Sequence, residues 1–306
     1  IRPRDWSSDV CSSDLLAVGI RETLRKSGLD MARAGVFIHG STVAINTAIE
    51  RTGARTALLV TQGMRDIYAI GRGNRPDAYD FLFRRPEPYV PRQRTLELVE
   101  RLDAAGEILT PFDTRHAHEV AEKLASLGAE AVAVCLLFSF MRPAHEQAVR
   151  DRLREAHPEW WISASSDLLP QIREYFRLST TVINAYVSPV LGRYVTQLGR
   201  ILDEHDVAPG RRFTMQSNGG STPFAATART AVGTILSGPA GGVTASIALA
   251  AAAGTDRIIT FDMGGTSCDV ALIQGGVPAM TTKGKGGGRD VALPMLDINT
   301  VSRSEE

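Results

Sequence analysis

Residues 236–276 read LSGPAGGVTASIALAAAAGTDRIITFDMGGTSCDVALIQGG, and the order of events in that stretch decides the fold. Leu236-Ser237-Gly238-Pro239-Ala240-Gly241-Gly242 leads into Val243–Ala253, a helix made almost entirely of small residues, which lets neighbouring backbones approach closely. Ile258, Ile259 and Phe261 then alternate into a turn, Asp262 ends the strand, and a second strand follows. Gly264 and Gly265 permit positive φ, and Thr266 and Ser267 add hydroxyl donors, so the turn has the size and chemistry of a phosphate cradle. Asp262, with Asp269 beyond the turn, offers hard carboxylate oxygens suited to a hydrated Mg2+. No Gly-Lys-Ser/Thr follows a glycine run, so this is not a P-loop.

Upstream the chain keeps an α/β rhythm. Ala17–Ser27 has a helical pattern, Val36–Ile38 a strand pattern, Val43–Arg51 helix and Ala57–Val60 strand. The rhythm resumes with Thr114–Leu127 as an amphipathic helix, Ala131–Phe138 as a buried strand and Pro143–Glu155 as a helix with Pro in its first turn. Between them, Gly71 to Pro111 reads as an extended excursion punctuated by Pro76, Pro86, Pro88 and Pro91. A long helical stretch, Tyr175 to Asp206, is expected to be interrupted near Ser188-Pro189, and the strand Phe213–Ser217 follows.

Three further segments are candidates for the cleft. His39-Gly40-Ser41-Thr42 follows a strand and opens a helix, so Ser41 or Thr42 is placed to cap it, with His39 and free N–H groups facing substrate or phosphate. Asn218-Gly219-Gly220 suits a tight turn near the cleft. Arg72, Asn74, Arg75 and Asp77 are either a solvated loop surface or a substrate contact. His116, His118, His145, His157 and His205 have no partner at metal spacing and read as surface helix residues without chemistry. Cys135, inside an apolar strand, reads as a small buried hydrophobe.

Composition narrows the function classes. The 306 residues carry 34 Lys and Arg against 34 Asp and Glu, which gives no basic surface for nucleic acid. No run reaches the ~18 apolar residues that a spanning helix needs, so a membrane is not expected as partner. Three cysteines make no disulfide framework and no metal cluster, which fits a reducing cytoplasm.

Both ends are expected to be foreign. Asp5 to Leu15 can be encoded by bases resembling a sequencing-library adapter. Arg303-Ser304-Glu305-Glu306 can be encoded by AGATCGGAAGAG, whose reverse complement falls inside the codons for Cys11 to Leu15. Residues 1–15 and 303–306 are therefore set aside, and the remainder is read as a fragment.

A glycine/alanine helix followed at once by a DxGGT hairpin is the order found in the actin, hexokinase and heat-shock chaperone ATPase superfamily. More specifically, the chain resembles the A subunit of the hydantoinase/oxoprolinase family. The resemblance rests on His39 to Asn46, Glu50-Arg51-Thr52-Gly53-Ala54, Gly63-Met64-Arg65-Asp66, Gly71 to Pro76, Arg101-Leu102-Asp103, Ile172 to Tyr175, Asn184 to Pro189, Gln216 to Gly220, Ser237 to Gly242 and Phe261 to Asp269.

It implies an α/β, actin-like two-lobe fold, here incomplete. Residues 16–178 would form the N-terminal region and 179–302 a truncated hydantoinase A domain, with a second lobe beginning near 236. It further implies ATP-dependent ring opening of a cyclic amide or imide, such as a hydantoin or 5-oxoproline, through phosphorylation of the amide oxygen, usually with a B-type partner subunit. By that resemblance Asp262 and His39 are catalytic candidates. Gly238, Gly241, Gly242, Gly264, Gly265, Thr266 and Ser267 would contact ATP phosphates, Ser41, Thr42, Asn218 and Gly219 would line the cleft, and Asp262 with Asp269 would hold Mg2+. Alternatives are an ATP-dependent ketone carboxylase subunit and a non-catalytic actin-like nucleotide-binding module. Two departures stand out: no N-terminal Asp-x-Gly-Gly-Thr hairpin is present, and Asn299 stands where the family usually has His.

Overall fold

The computed structural model describes residues 10–28, 31, 34–73, 79–263 and 267–302. The chain enters through helix α1 (Val10–Ser27), strand β1 (Phe37–His39), helix α2 (Val43–Glu50), strand β2 (Thr56–Thr61) and a single turn, α3 (Ile67–Ile70). Strand β3 (Thr95–Leu98) and the ribbon β4 (Arg101–Leu102) with β5 (Ile108–Thr110) precede α4 (Thr114–Ser126), β6 (Ala131–Cys135), α5 (Ala144–Ala156), β7 (Trp161–Ala164) and the short α6 (Ser165–Leu168). Then come α7 (Glu174–Asp203), β8 (Arg212–Met215), β9 (Ser221–Pro223), α8 (Phe224–Thr227) and α9 (Ser237–Ala252). The last part is strand-rich: β10 (Ile258–Met263), β11 (Ser267–Gln274), β12 (Val277–Pro278), β13 (Met280–Thr281), β14 (Gly284–Gly286), β15 (Arg289–Val291), β16 (Met295–Leu296) and β17 (Ile298–Ser302).

The first half folds around a parallel sheet in the order β3-β2-β6-β7, with Leu58 opposite Thr95, Thr56 opposite Ala131 and Ala131 opposite Trp161. Every residue of β2 and β6 is buried, because helices cover both faces. Leu59, Val132 and Val134 pack on Val120 and Leu124 of α4 and Val149 and Leu153 of α5. Leu58, Val60 and Ala133 face Leu178, Val182 and Val187 of α7. Asp113 caps α4, its carboxylate accepting the N–H groups of Arg115 at 2.9 Å and His116 at 3.2 Å.

A second, smaller sheet joins β1 and β8 in parallel and adds β9 antiparallel. In a third, β10 and β11 form the hairpin read from the sequence, with β12 and β17 both pairing on β11. Helix α9 lies between these sheets, touching β8 on one side and β10 and β11 on the other. The arm β14–β15 reaches from this last part back onto α2 and α7.

Five expectations need correction. Helix α7 runs unbroken through Pro189. The ring removes one helical hydrogen bond, but nearly every residue from Arg177 to Gly192 is buried, and each fully buried aliphatic side chain is worth about 1.5–3 kcal/mol. Packing outweighs the lost bond, and the Tyr186 carbonyl accepts the Ala54 N–H at 3.0 Å. The excursion from Gly71 to Pro111 contains an edge strand of the main sheet, β3, and the β4–β5 ribbon. The glycines of 238–242 lie inside α9 rather than ahead of it, and Asp262 lies within β10 rather than at its end. Helix α1 starts at Val10, inside the stretch read as foreign and ahead of Ala17.

Candidate functional site

Helix α9 gathers the segments that the sequence marked. Its first residue, Ser237, is buried and zips the 39–42 segment to it: the Ser41 N–H donates to Ser237 Oγ at 3.2 Å, and that hydroxyl donates to the Ser41 carbonyl at 2.9 Å. A Cβ on Gly40 would meet the Ser237 carbonyl at 3.0 Å, so the approach needs glycine there. Thr42 is the N-cap of α2 but makes no side-chain cap; its Oγ1 accepts from Asn46 Nδ2 at 3.3 Å instead. The expected hydroxyl cap is thus absent, and the Ser41 N–H is not free for a phosphate because Ser237 takes it.

His39 turns the other way. Its Nε2 lies 2.7 Å from the Tyr194 hydroxyl of α7, and its ring stacks at 6.4 Å on Phe37, the next residue on the same strand face. Burial lowers its pKa below the usual imidazole value, so it is neutral at pH 7.

The turn after β8 packs along the flank of α9. Asn218 Oδ1 accepts the Gly220 N–H at 2.9 Å, an Asx turn that leaves Gly219 at φ +82°. A Cβ on Gly219 would meet Thr244 Oγ1 of α9 at 3.1 Å. Ser217 ties this turn to the approach of α9, its hydroxyl accepting the Leu236 N–H at 2.9 Å and donating to the Gly233 carbonyl at 2.7 Å.

The hairpin lies on a different side of α9, and between them runs an open groove of about 540 Å3. Gly242, Val243 and Ser246 of α9 line one wall, and Thr260, Phe261, Asp262 and Asp269 the other. Asp262 and Asp269 are direct cross-strand partners, so both carboxylates point to the same sheet face. Like charges so placed oppose each other, and a cation between them would relieve it. Asp262 is exposed, while Asp269 Oδ1 accepts the Thr300 hydroxyl at 2.6 Å. Asn299 pairs with Val270 one position along β17. Among the described residues no cluster of three His, Cys, Asp or Glu side chains forms a ready-made metal site. Gly264, Gly265 and Thr266 lie outside the described residues, as do Asn74, Arg75 and Asp77; Ser267 begins β11. The groove therefore unites Gly242, Asp262 and Asp269. Gly238, Ser41 and Thr42 meet at the start of α9, Gly241 faces Met215, and Asn218 and Gly219 sit on the flank.

Sequence reasoning missed a buried polar network at the carboxyl ends of β2, β6 and β7. Glu146, on the first turn of α5 and fully buried, accepts the Leu136 N–H at 2.8 Å, the Ser139 hydroxyl at 2.8 Å, the Ser165 hydroxyl at 2.6 Å and the Ser166 N–H at 2.8 Å. Arg177 of α7, only 1% exposed, donates to Ser139, to Ser165 at 3.1 Å and to the Leu136 carbonyl at 2.7 Å. Beside it, His145 is no surface residue: its Nδ1 lies 2.7 Å from the buried Glu100, which also takes the Thr61 hydroxyl. His157 is likewise engaged, stacked on Trp160 at 3.8 Å. The only sequence signal for the network was an acidic side chain in the first turn of an otherwise amphipathic helix.

Comparison with known proteins gives a consistent picture. The family described as hydantoinase/oxoprolinase N-terminal region matches residues 7–157, and that described as hydantoinase/oxoprolinase matches residues 177–304. The caprolactamase subunit alpha of Pseudomonas jessenii is 34% identical over 273 residues, covering 89% of this chain and 39% of the relative. The crystal structure of an ATP-dependent caprolactamase from the same organism superimposes with a TM-score of 0.83 at 32% identity, over 93% of this chain and 42% of that one. A nucleotide-free acetone carboxylase, from work on ATP-dependent acetone carboxylation, gives a TM-score of 0.81 at 27% identity over 94% and 43%. The chain thus spans less than half the length of each.

Proposed function

The chain belongs to the hydantoinase/oxoprolinase family, whose actin-like fold it shares, and from that premise we propose that it is the nucleotide-holding part of an ATP-dependent cyclic amidohydrolase. The observation that carries this reading is the groove between α9 and the β10–β11 hairpin, where Asp262 and Asp269 stand opposed on neighbouring strands. The donor set fits Mg2+, a hard cation that takes carboxylate oxygens and keeps several waters, and the groove's mixed lining of Leu249, Phe261, Ser246 and Thr260 fits a nucleotide. Asp262 and Asp269 would hold the metal, and the N–H groups of 264–267 with Gly242 would meet phosphate oxygens.

Bound ATP supplies what an unstrained lactam or imide lacks, a phosphoryl group that turns the amide oxygen into a good leaving group. The chain's own contribution is to position phosphates against fixed dipoles and to keep α9 in place through Ser237, Gly40 and Gly219. His39, turned toward Tyr194, is assigned the positioning of the 39–42 segment rather than proton transfer. A hydantoin or 5-oxoproline is the substrate class proposed. A B-type subunit is the proposed partner, in line with the caprolactamase relative being itself a subunit.

The test is Asp262→Asn in the full-length enzyme. Amide-dependent ATP hydrolysis is expected to fall to background while the protein stays folded, and unchanged turnover would sink the assignment. The likeness to acetone carboxylase favours one second reading, an ATP-dependent ketone carboxylase, and assays with ketone plus bicarbonate against hydantoin or 5-oxoproline separate the two. ATP hydrolysis that ignores both substrates would point to a non-catalytic nucleotide module.

A further inference from the structure

Two of the sequence motifs, Glu50 to Ala54 and Asn184 to Pro189, play no part in the nucleotide groove, and they meet at the amino-terminal edge of the main sheet. Arg55 immediately precedes β2, Arg94 precedes β3 and Glu130 precedes β6; the parallel register sets Arg55 level with Glu130, and Arg94 level with Ala57, two positions along β2 on the same face as Arg55. Together with Arg51, Glu87, Tyr89 and Tyr186 they line an open cleft of about 620 Å3. Its aromatic wall is built to fit: Tyr89 and Tyr186 are buried with ring centroids 4.6 Å apart, and a Cβ on Gly53 would collide with the Tyr186 ring.

The charges in the cleft do not cancel. Arg51 is engaged, its guanidinium donating to the Glu87 carbonyl at 2.6 Å, lying 3.8 Å from the Glu87 carboxylate and covering the Tyr89 ring at 5.1 Å. The Glu130 carboxylate is turned to the backbone, accepting the Arg55 N–H at 2.8 Å. What is left is the pair of guanidiniums of Arg55 and Arg94, neither within ion-pair distance of a carboxylate among the described residues. Arg94 is half-buried, and burial and then the neighbouring Arg55 charge hold its pKa below the usual guanidinium value. A partly desolvated guanidinium at Arg94 beside the exposed Arg55 costs energy alone, and an oxyanion that accepts from both forks would offset it.

We infer that this cleft is a second ligand site, separate from the nucleotide groove, that takes a small molecule bearing a carboxylate or phosphate group at Arg55 and Arg94 and laying an apolar or aromatic body against Tyr89 and Tyr186. Nothing in the inference depends on the amidohydrolase reading.

Calorimetric titration of the full-length protein with phenyl phosphate and with benzoate, in EDTA so that no metal-bound nucleotide site competes, tests it. One or both probes are expected to bind at one site per chain and to weaken as salt rises. Arg94→Gln and Arg55→Gln should each weaken that binding tenfold or more, while Asp262→Asn binds as the unaltered protein does. Arg55 is exposed, so its variant keeps the test alive if Arg94→Gln fails to fold. The inference is overturned if neither probe binds, if a folded arginine variant binds as well as the unaltered protein, or if Asp262→Asn abolishes the binding. A response to one probe alone identifies which oxyanion the site prefers.

Discussion

Replacing Glu146 by Ala should cost more stability than any change in the nucleotide groove. The carboxylate is fully buried and accepts four hydrogen bonds, two from the backbone N–H groups of Leu136 and Ser166 and two from the hydroxyls of Ser139 and Ser165. The hydroxyls can rotate to other acceptors, and the Ser166 N–H is partly reachable by water, so the Leu136 N–H bears most of the orphaning. The larger loss is the countercharge to Arg177, which stays 1% exposed among the same two serines. An orphaned buried donor costs about 1–3 kcal/mol and an uncompensated buried charge about 3–5 kcal/mol; with partial overlap the sum is about 4–6 kcal/mol. With a urea dependence near 3 kcal/mol per M, the unfolding midpoint should drop by roughly 1.3–2 M at unchanged slope. Fluorescence of Trp161, the first residue of β7, and of Trp160 before it reports the transition. Glu146→Gln keeps one acceptor oxygen but not the charge, and should fall between. A midpoint shift below about 0.3 M for Glu146→Ala, equivalent to ~1 kcal/mol, would show that Arg177 is compensated elsewhere and refute the reasoning.

Other outcomes follow from single contacts. Asp262→Asn, the variant that should stop turnover, should leave the metal-free protein slightly more stable, by about 0.2–1 kcal/mol, because it relieves the cross-strand opposition to Asp269; a melting temperature clearly below that of the unaltered protein contradicts this. His39 has a folded pKa lowered by burial, so the unfolded chain protonates first as pH falls below 6.5. Its contribution to stability is therefore whole above pH 6.5 and declines below it, and His39→Phe should flatten the loss seen between pH 7.5 and 5.5 in urea titrations; parallel losses would exclude His39 as the cause. Gly287→Ala puts a Cβ 2.7 Å from the Ala48 carbonyl at a φ of +53°, a combination worth more than about 2 kcal/mol, and should free the β14–β15 arm from α2. Trypsin cleavage after Lys285 should then accelerate several-fold, and an unchanged rate would mean that the arm is held elsewhere.

Several periodic elements were legible to within a residue or two, but the strand expected over Ala131–Phe138 ends at Cys135 and the helix expected from Ala17 starts at Val10. Thr114–Leu127 became Thr114–Ser126, and Ala57–Val60 became Thr56–Thr61, because an amphipathic stripe and a Val/Leu run each admit one solution. The failures share one physical cause, which is that the deciding partner arrives from far along the chain. Thr95–Leu98 is a short four-residue segment in a proline-punctuated excursion, and only pairing with β2 makes it a strand. Pro189 should break a solvated helix, but α7 is buried on the sheet and continues. His145 and Glu146 look like surface residues of α5 until Glu100, in the link between β3 and β4, and Arg177 of α7 reach them. At the site, the presence of the helix and the hairpin was legible from glycine, alanine and the alternating strand, but not where the helix starts or where β10 ends, and Thr42 makes no cap because its hydroxyl accepts from Asn46 while Ser237 holds the neighbouring Ser41 backbone.

That last failure explains why α9 is built from small residues. Three backbones far apart in sequence come onto one helix: Gly40 at its start, Gly219 on its flank and the hairpin along its groove. Two of these approaches depend on a missing side chain, at Gly40 against Ser237 and at Gly219 against Thr244, while Gly242 leaves its stretch of the groove open beside Asp262 and Asp269. An ordinary amphipathic helix would bury more apolar area but would hold these segments apart. The Gly/Ala composition gives up packing energy along α9 to bring β8, the 39–42 segment and the two carboxylates onto one element. Any tilt of that helix therefore moves the 39–42 segment and the aspartate groove together, which couples the two at the place where nucleotide is proposed to bind.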